Sequence, residues 1–570
     1  MILPAIIDLV QICAKKGVQD VVLSPGSRCA PLTIAFARHP QLRVRTVPDE
    51  RAAAFIGLGM AQQTKRPVVL VCTSGTAAYN YAPAVAESFY QHIPLLILTA
   101  DRPPEWIDQL DGQTIRQRQI YGNHIKLSLD FPVDAAHPDA AWHANRIINE
   151  ALNATVAFPA GPVHVNIPLR EPFYPEAGEE ITFREEVRVI EELPSEPGLP
   201  ENVWEVLRQE VKKFQRVLVV AGQGTTDPET EQAVQAFCQS TGAVFVTDII
   251  SNFQKEGETI SYHDVFLGAK HVQAEEALAP DLLLTFHQSL ISKNLKLFLR
   301  RQTALQQWHV QPAGYVADTF QCLSRIIRTS PKTFFQKLLQ NEGGLQVNPA
   351  FTYRWHSLNQ QGKSVLARFQ ENSPFSEFQA MYLLLRHLPD DSLLHLANSM
   401  SVRYANLIGV ADKKGISVFA NRGTSGIDGS TSTAVGSALG TDQLVTLLTG
   451  DMAFLYDRNA LWHNYLPPNL RIVVLNNHGG GIFRMIEGPR SQPELQPFFE
   501  TEQRQTAQRT AEDMGLKYVR ITDAASLTNL LPSFFDLSAG PQLLEVETIS
   551  FENYAIFEQY RKAVQEIKPL

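Results

Sequence analysis

The chain has 570 residues, of which 44% are hydrophobic and 19% charged, with a formal net charge of -9. This composition is that of a globular protein and excludes a disordered, collagen-like or coiled-coil chain. The negative charge disfavours nucleic acid or an anionic membrane as the main partner, because those surfaces attract an excess of Lys and Arg. The length predicts about three domains.

The N-terminal segment MILPAIIDLVQICAKKGVQD has no basic region before its apolar part, so it predicts a first helix and not a signal peptide. No apolar run approaches the roughly 20 residues needed to span a bilayer. The cysteines lack CxxC spacing, which predicts reduced thiols and a cytoplasmic location. They are Cys13, Cys29, Cys72, Cys238 and Cys322.

From Asp20 onward, short β-branched runs alternate with amphipathic stretches. Continuous apolar runs of this kind predict strands buried on both faces, in a parallel sheet flanked by helices. We therefore predict a first α/β domain over residues 1–178, followed by an acidic, Pro-rich linker over 179–200. The runs are DVVLS, RVRTV, PVVLVCTSG, PLLILTAD and PVHVNIP.

Two further units follow in the same style. RVLVVAGQGTTDPE, AVFVTD and DLLLTFHQS predict a smaller, central Rossmann-like α/β domain over residues 201–347. The predicted fold class is thus α/β, with three parallel central sheets flanked by helices and with ligands at the carboxyl ends of the strands. The third domain, over 348–570, is predicted from the runs SLLHLANS, GISVFANRG, QLVTLLTGD, LRIVVLNNHGGG and QLLEVET.

The most specific motif lies in the third domain. Asp451 and Asn477 follow two successive predicted strands and are 26 residues apart, an interval that fits one helix and the return strand. A carboxylate, an amide oxygen and a backbone carbonyl near Gly479 are hard oxygen ligands that suit Mg²⁺ or Ca²⁺. The simpler alternative for each pattern alone is a helix cap and an Asn-Asn turn.

The first domain supplies a second element. Glu50 begins a predicted helix after RVRTV, where an acid alone would complement the helix dipole. Ser74 and Gly75 lie at a strand-to-helix turn, where a helix cap and a ligand contact remain equally open. In the central domain, AGQGTTD could bind a nucleotide or regulator, although a glycine turn after a strand is weak evidence.

Glu50 in a first α/β domain combined with GD…NN in a third resembles the thiamine-diphosphate-dependent decarboxylase and synthase superfamily. Within it, the chain is most similar to the carboligating synthases of menaquinone biosynthesis. This resemblance implies thiamine diphosphate bound through Mg²⁺ or Mn²⁺, between the pyrimidine domain of one subunit and the diphosphate domain of another. It implies a homodimer at minimum and favours a homotetramer. The similar segments are SPGSRCAPL, DERAAAFIGLGMA, CTSGTAAYNYAPAVAE, LTADRPPE, GQTIRQ and NRGTSGIDGSTSTAVG.

The resemblance also implies a cofactor site. Glu50 would hydrogen-bond the aminopyrimidine ring and favour its imino tautomer, while Ile427 would support the bent cofactor. Asp451, Asn477 and the Gly479 carbonyl would bind the metal. Met452 stands where the superfamily usually has the last glycine of GDG. The implied cofactor-binding residues are Glu50, Ser74, Gly75, Ser399, Arg422, Ile427, Gly450, Asp451, Met452, Ala453, Asn477, Gly480, Ile482 and Phe483.

The implied substrates are 2-oxoglutarate and isochorismate, which each carry two carboxylates and therefore call for several converging cations. Asn294 and Gly112 stand where we expect a second cation and a polar residue. The implied substrate-binding residues are Ser27, Arg28, Arg102, Gln113, Lys293, Ser399 and Arg403. With Glu50, the implied catalytic set is Arg28, Gln113, Arg403 and Arg422.

The implied activity is that of a transferase that decarboxylates 2-oxoglutarate and adds the resulting succinyl carbanion equivalent to isochorismate in a 1,4 sense. One alternative is another thiamine-diphosphate 2-oxo acid decarboxylase or carboligase, similar to acetolactate synthase. A non-catalytic relative would not need Glu50 together with Asp451 and Asn477. A dinucleotide oxidoreductase would need a clean GxGxxG followed by a suitably spaced acid, which this sequence lacks.

Overall fold

The computed structural model describes residues 3–171, 173–176, 178–193, 198–225, 227–340, 344–410 and 412–568. In this part of the chain three parallel β-sheets are each flanked by helices, which confirms the predicted fold class. We call the three sheets, with their helices, the first, middle and third units.

The first unit contains a six-stranded sheet. Its central strands are fully buried, whereas the edge strand of sequence RVRT is partly exposed. The strands are β1 (Asp20–Leu23), β2 (Arg43–Thr46), β3 (Val68–Cys72), β4 (Leu95–Asp101), β5 (Leu127–Asp130) and β6 (Val163–Pro168). The helices are α1 (Pro4–Lys15), α2 (Ala30–Arg38), α3 (Glu50–Thr64), α4 (Thr76–Asn80), α5 (Ala82–Gln91) and α6 (Pro138–Val156).

The middle unit is smaller, with five strands in the order β11-β10-β9-β7-β8. These strands are β7 (Val217–Ala221), β8 (Val244–Thr247), β9 (Leu282–Phe286), β10 (Gln306–Val310) and β11 (Leu323–Ile327). The helices are α7 (Glu201–Val211), α8 (Pro228–Thr241), α9 (His263–Phe266), α10 (Lys270–Gln273), α11 (Lys293–Arg300) and α12 (Pro331–Leu339).

The third unit again has a six-stranded sheet. Its strands are β12 (Leu393–Leu396), β13 (Ser417–Ala420), β14 (Val445–Gly450), β15 (Leu470–Asn476), β16 (Lys517–Ile521) and β17 (Gln542–Glu547). Its helices are α13 (Pro349–Asn372), α14 (Glu377–His387), α15 (Met400–Ile408), α16 (Ser430–Leu439), α17 (Asp451–Tyr456), α18 (Ile482–Met485), α19 (Gln508–Asp513), α20 (Ala524–Phe534) and α21 (Ser550–Val564).

The first and third units have the same topology. The strand orders are β2-β1-β3-β4-β6-β5 and β13-β12-β14-β15-β17-β16, so each strand of the first sheet has a counterpart in the third. All paired strands are parallel, and their carboxyl ends therefore lie along one edge of each sheet. Residues that follow corresponding strands are thus presented at corresponding places in the two units.

Helices α3 and α16 pack closely and join the first unit to the third. A Cβ atom on Gly59 would lie 2.0 Å from the carbonyl oxygen of Thr433, and one on Gly436 would lie 2.0 Å from that of Ile56. Glycine is therefore required for the two backbones to approach this closely. One hydrophobic cluster includes buried side chains of both helices and both sheets.

The segment after the first unit packs back onto that unit. Arg184 forms an ion pair with Asp8, and the backbone N–H of Ile190 donates to Asn149 at 2.6 Å. The predicted domain and linker boundaries stay predictions. Among the described residues, no helix combines the length and the apolar composition that crossing a membrane requires.

Candidate active site

Asp451 and Asn477 lie side by side at the carboxyl edge of the third sheet. Asp451 follows β14 as the first residue of α17, and Asn477 follows β15. The two strands are paired, with Gly450 opposite Leu475. The strand pairing therefore brings together the two side chains that were predicted to bind a metal.

The Asp451 carboxylate is 3% exposed, and this burial raises its pKa to about 6. Its Oδ2 accepts a hydrogen bond from Gln503 at 2.7 Å, and this hydrogen bond lowers the pKa. Burial also raises the pKa of Glu377, at the start of α14, to about 8. The hydrogen bond from Asn477 lowers that pKa and the nearby Asp451 carboxylate raises it, so two acids share a buried region.

The Asn477 amide is hydrogen-bonded at one end only. Its Nδ2 donates to Glu377 at 2.6 Å, whereas its Oδ1 is buried and has no partner among the described residues. A buried acceptor without a partner is costly. A divalent cation bound there would satisfy Oδ1 and offset the negative charge of Asp451, so these residues fit Mg²⁺ or Mn²⁺.

The glycine run after Asn477 brings the backbone close to its neighbours. A Cβ on Gly479 would lie 2.8 Å from the Glu500 carbonyl oxygen, and one on Gly481 would lie 2.8 Å from Asn477 Nδ2. The Gly479 carbonyl accepts the N–H of Gly481 at 3.0 Å, which leaves it a second lone pair. Its role as a third metal ligand stays a prediction. The predicted cofactor residues Gly480, Ile482 and Phe483 lie at and just before the start of α18.

Glu50 is the first residue of α3 and is partly exposed at the carboxyl edge of the first sheet. The neighbouring Asp49 accepts a hydrogen bond from Asn459 at 2.8 Å, and Arg51 donates to the Tyr456 carbonyl at 2.8 Å. Tyr456 is the last residue of α17 and Asp451 is the first. Within one chain, the neighbours of Glu50 therefore contact the last residue of α17 and the segment that follows it, at the opposite end of the helix from Asp451.

The turn at Ser74 and Gly75 is fixed from two sides. Gly75 has φ +85°, a conformation that favours glycine, and its N–H donates to Gln117 Oε1 at 2.8 Å. Ser74 is buried and accepts a hydrogen bond from Arg102 at 3.0 Å. The sequence analysis missed Gln117, which is 1% exposed and also donates to the Ala100 carbonyl at 3.1 Å.

Two predicted cations lie together at the edge of the first sheet. Arg102 forms an ion pair with Asp111 at 2.8 Å, whereas Arg28 donates to the carbonyls of Leu169 and Arg170 at 2.9 and 2.8 Å. Burial lowers the pKa of Arg28, and the nearby Arg102 lowers it further. The neutral candidates of this edge, Ser27 and Gln113, are exposed.

Two other predicted cations lie at the edge of the third sheet. Arg403 donates to the carbonyl of Ser399, a residue with φ +73°, and Arg422 donates to Asn398 at 3.0 Å. The Nε of Arg422 is buried without a partner in the part of the chain that the structure describes. Lys293 is exposed at the first position of α11.

Apart from Lys293 on α11 of the middle unit, the predicted site residues form two groups within one chain. Glu50, Ser74, Arg28 and Arg102 lie on the first unit, whereas the metal ligands, Ser399, Arg403 and Arg422 lie on the third. Across residues 3–568, without the gaps given above, no hydrogen bond or ion pair connects a predicted site residue of one group to one of the other. Asn294 belongs to neither group, because its amide donates to the Asp264 carbonyl at 3.0 Å.

A buried acid that the sequence analysis missed positions the loop between Arg422 and Ile427. Glu87 on α5 is 0% exposed and accepts the backbone N–H groups of Gly423 at 2.8 Å and Thr424 at 2.6 Å. Nothing in the sequence around Glu87 signals this contact, because the partners are more than 330 residues away. Ile427, the predicted support of the cofactor, is half-buried in this loop.

The chain is similar to thiamine pyrophosphate enzymes along most of its length. Residues 7–121 match the family model described as thiamine pyrophosphate enzyme, N-terminal TPP binding domain. Residues 194–396 match the model described as middle domain of thiamine pyrophosphate. Both regions contain residues whose geometry is described above, Glu50 in the first and Glu377 in the second.

Curated relatives of nearly equal length carry one name, 2-succinyl-5-enolpyruvyl-6-hydroxy-3-cyclohexene-1-carboxylate synthase. The protein from Cytophaga hutchinsonii is 46% identical over 99% of this chain and 99% of its own length. Those from Porphyromonas gingivalis and Desulfotalea psychrophila are each 38% identical, over 97% and 95% of this chain and 96% and 97% of their own lengths. The chain therefore belongs to the 2-succinyl-5-enolpyruvyl-6-hydroxy-3-cyclohexene-1-carboxylate synthase family of thiamine pyrophosphate enzymes.

Proposed function

We propose that this chain decarboxylates 2-oxoglutarate and adds the succinyl unit to isochorismate in a 1,4 sense. The products are 2-succinyl-5-enolpyruvyl-6-hydroxy-3-cyclohexene-1-carboxylate and CO2, and the step belongs to menaquinone biosynthesis. The relatives named above support this reaction. The observation that carries it is Oδ1 of Asn477, which no described residue contacts by a hydrogen bond. It lies beside Asp451 at the end of two paired strands, where a metal-bound diphosphate fits.

Asp451, Asn477 and the Gly479 carbonyl would hold Mg²⁺ or Mn²⁺, and through it thiamine diphosphate. When bound, thiamine diphosphate supplies the electron sink that allows a 2-oxo acid to lose CO2. The Glu50 carboxyl group would share its proton with a ring nitrogen of the aminopyrimidine. Ile427, on the loop that Glu87 fixes, would support the bent cofactor.

The arginines bind and orient the carboxylates of the two substrates. Arg28, Arg403 and Arg422 hydrogen-bond only to neutral acceptors among the described residues, so they can pair with substrate carboxylates without breaking an internal ion pair. Arg102 is different, because a substrate carboxylate would compete with Asp111. Lys293, Ser27, Gln113 and Ser399 would complete the binding of the substrates.

The complete site is formed by two copies of the chain. Glu50 and the Arg28–Arg102 pair lie on the first unit, and the metal ligands with Arg403 and Arg422 lie on the third. Among the described residues, no hydrogen bond or ion pair joins the two groups, which supports a separation of the two halves within one chain. The active form is therefore a homodimer at minimum, and we favour a dimer of dimers. The five free cysteines support a reducing compartment, the cytoplasm.

Mass spectrometry of the products tests the reaction. With thiamine diphosphate and Mg²⁺, we expect slow CO2 release from 2-oxoglutarate alone and rapid formation of the succinylated product when isochorismate is added. Rapid turnover of pyruvate instead would favour a reaction similar to that of acetolactate synthase. Replacing Glu50 by Gln should abolish turnover and spare cofactor binding, and full activity in that variant would exclude the mechanism.

A further inference from the structure

Glu377 is held rigidly beside the candidate metal site. It is 3% exposed, and its backbone N–H donates to Asn553 Oδ1 on α21 at 2.9 Å. The preceding Ser376 caps α14 by accepting the N–H of Gln379 at 3.3 Å. In the described parts of the chain no Lys, Arg or His forms an ion pair with Glu377. Its carboxylate instead accepts Nδ2 of Asn477 at 2.6 Å.

This hydrogen bond decides which way the Asn477 amide faces. An asparagine amide has a donor end and an acceptor end of nearly the same shape, and only its partners select between the two orientations. A carboxyl group keeps an accepting oxygen in either protonation state. Oε1 of Glu377 accepts Nδ2 at 2.6 Å, so Glu377 selects the orientation with Nδ2 on its side. The acceptor Oδ1 is then left on the opposite side, buried and unpaired within the described residues.

The neighbouring asparagine shows that this arrangement is specific to position 477. Asn476 also donates to a buried acid, Glu545, at 2.6 Å. Its Oδ1, however, accepts the N–H of His478 at 3.0 Å and Gln503 at 3.3 Å. Of two adjacent asparagines held by buried carboxylates, Asn476 is satisfied within the protein, whereas Asn477 retains an oxygen that no residue of the described ranges pairs with.

We propose that Glu377 is a positioning residue for the divalent metal, which holds the Asn477 amide with Oδ1 directed into the metal site. The inference rests on the proposed function, because the metal belongs to that site. Partners that orient metal ligands in this way typically account for roughly 10–100-fold in metal affinity. Without Glu377 the amide turns freely, and the metal loses an oxygen ligand in part of the molecules.

The test measures metal binding without turnover. Apo protein with saturating thiamine diphosphate is titrated with Mg²⁺, and the dissociation constant is read from tryptophan fluorescence. We expect Glu377→Met, which keeps the side-chain length but removes the acceptor, to weaken Mg²⁺ binding roughly 10–100-fold. Ser376→Ala is the matched control, because it weakens the start of the same helix and leaves the Glu377 carboxylate in place.

A reciprocal exchange separates orientation from stability. In the double variant Glu377→Gln with Asn477→Asp, the glutamine amide donates to the aspartate, which presents its other oxygen to the metal at unchanged total charge. We expect this variant to bind Mg²⁺ about as tightly as the wild type, and roughly 10–100-fold more tightly than Glu377→Met. If Glu377→Met does not fold, the Mg²⁺ affinity of the double variant alone tests whether residue 377 orients the metal ligand at position 477.

Unchanged Mg²⁺ affinity in Glu377→Met would overturn the inference, as would an equal loss in Ser376→Ala or no rescue in the double variant. The proposed function is tested separately. Wild-type protein that binds Mg²⁺ and thiamine diphosphate but forms no product from 2-oxoglutarate and isochorismate would refute the reaction and leave the role of Glu377 standing.

Discussion

Glu87 accepts the backbone N–H of Gly423 at 2.8 Å, and this hydrogen bond connects the first unit directly to the cofactor loop of the third. The same carboxylate accepts the backbone N–H of Thr424 at 2.6 Å. A fully buried carboxylate is costly unless several donors satisfy it, and here the donors belong to the loop that carries Arg422 and Ile427. The position of both candidate residues therefore depends on an acid in the other unit.

The first prediction concerns this contact. In Glu87→Gln, one carboxylate oxygen becomes an NH2 group that opposes a backbone N–H, so a buried donor loses its acceptor. The cost is about 1–3 kcal/mol, and displacement of Arg422 should raise the KM for 2-oxoglutarate. Steady-state kinetics and thermal unfolding measure both effects. The exposed Glu205→Gln is the control, and a Glu87→Gln enzyme with wild-type KM and Tm would refute the role of the contact.

Burial on both faces of the sheet explains which strands could be predicted from the sequence. Central strands such as β3 and β4 are continuous apolar runs because helices cover both sides of the sheet. The strands β5, β11 and β16 lie at sheet edges, are partly exposed and have the mixed sequences LSLD, LSRII and KYVRI. The sequence analysis missed them, as it missed β10, which contains the buried polar residue Gln307.

The same physical distinction applies to the site. Asp451 and Asn477 could be predicted because each directly follows an apolar strand, so their side chains must emerge at the carboxyl edge. Glu377 and Gln503 reach the same place from 100 and 52 residues away through contacts that exist only in the folded chain. An isolated Glu at a helix start resembles any surface acid, and no local pattern distinguishes it.

The second prediction concerns the crossing of α3 and α16. In Gly59→Ala the new Cβ would lie 2.0 Å from the rigid Thr433 carbonyl oxygen, so the helices must separate. Overpacking of this kind costs about 1–3 kcal/mol, whereas alanine otherwise favours a helix. Gly57→Ala on the same helix is the control, since its Cβ would clash with the flexible end of the Leu70 side chain, at 2.5 Å, and not with backbone. Equal Tm values for the two variants would contradict the prediction.

The third prediction is a pH dependence of stability that arises from Asp457. This buried carboxylate accepts the N–H and hydroxyl of Ser432, each at 2.7 Å, at the start of α16. Burial raises its pKa from 3.8 to about 7, with Asp428 raising it and Arg51 lowering it. The folded state binds this proton more tightly than the unfolded state does. The stability that the protonated Asp457 contributes to the fold is therefore fully present below pH 3.8 and is lost as the pH rises through about 7.

Asp457→Asn removes this dependence. Relative to the variant, the wild type should lose up to about 4 kcal/mol between pH 4 and pH 8. Thermal unfolding of the metal-free protein at several pH values measures the difference, with the exposed Asp513→Asn as control. A constant difference between wild type and Asp457→Asn across this range would show that the pKa of this carboxyl group is the same in the folded and unfolded states.

The fourth prediction separates stability from cofactor binding at Asp451. Its buried carboxylate accepts hydrogen bonds from Gln503 and the backbone but forms no ion pair among the described residues, so the metal-free fold carries a poorly compensated charge. Asp451→Asn removes that charge and should raise the Tm in EDTA.

In the wild type, Mg²⁺ with thiamine diphosphate at about 100 times the dissociation constant should add about 2.7 kcal/mol of stability. The variant should gain almost nothing, because it lacks the charged ligand that anchors the metal. Calorimetry without Mg²⁺ and cofactor measures the change in Tm, and calorimetry with both measures the gain in stability. An equal gain in wild type and variant would mean that Asp451 does not bind the metal.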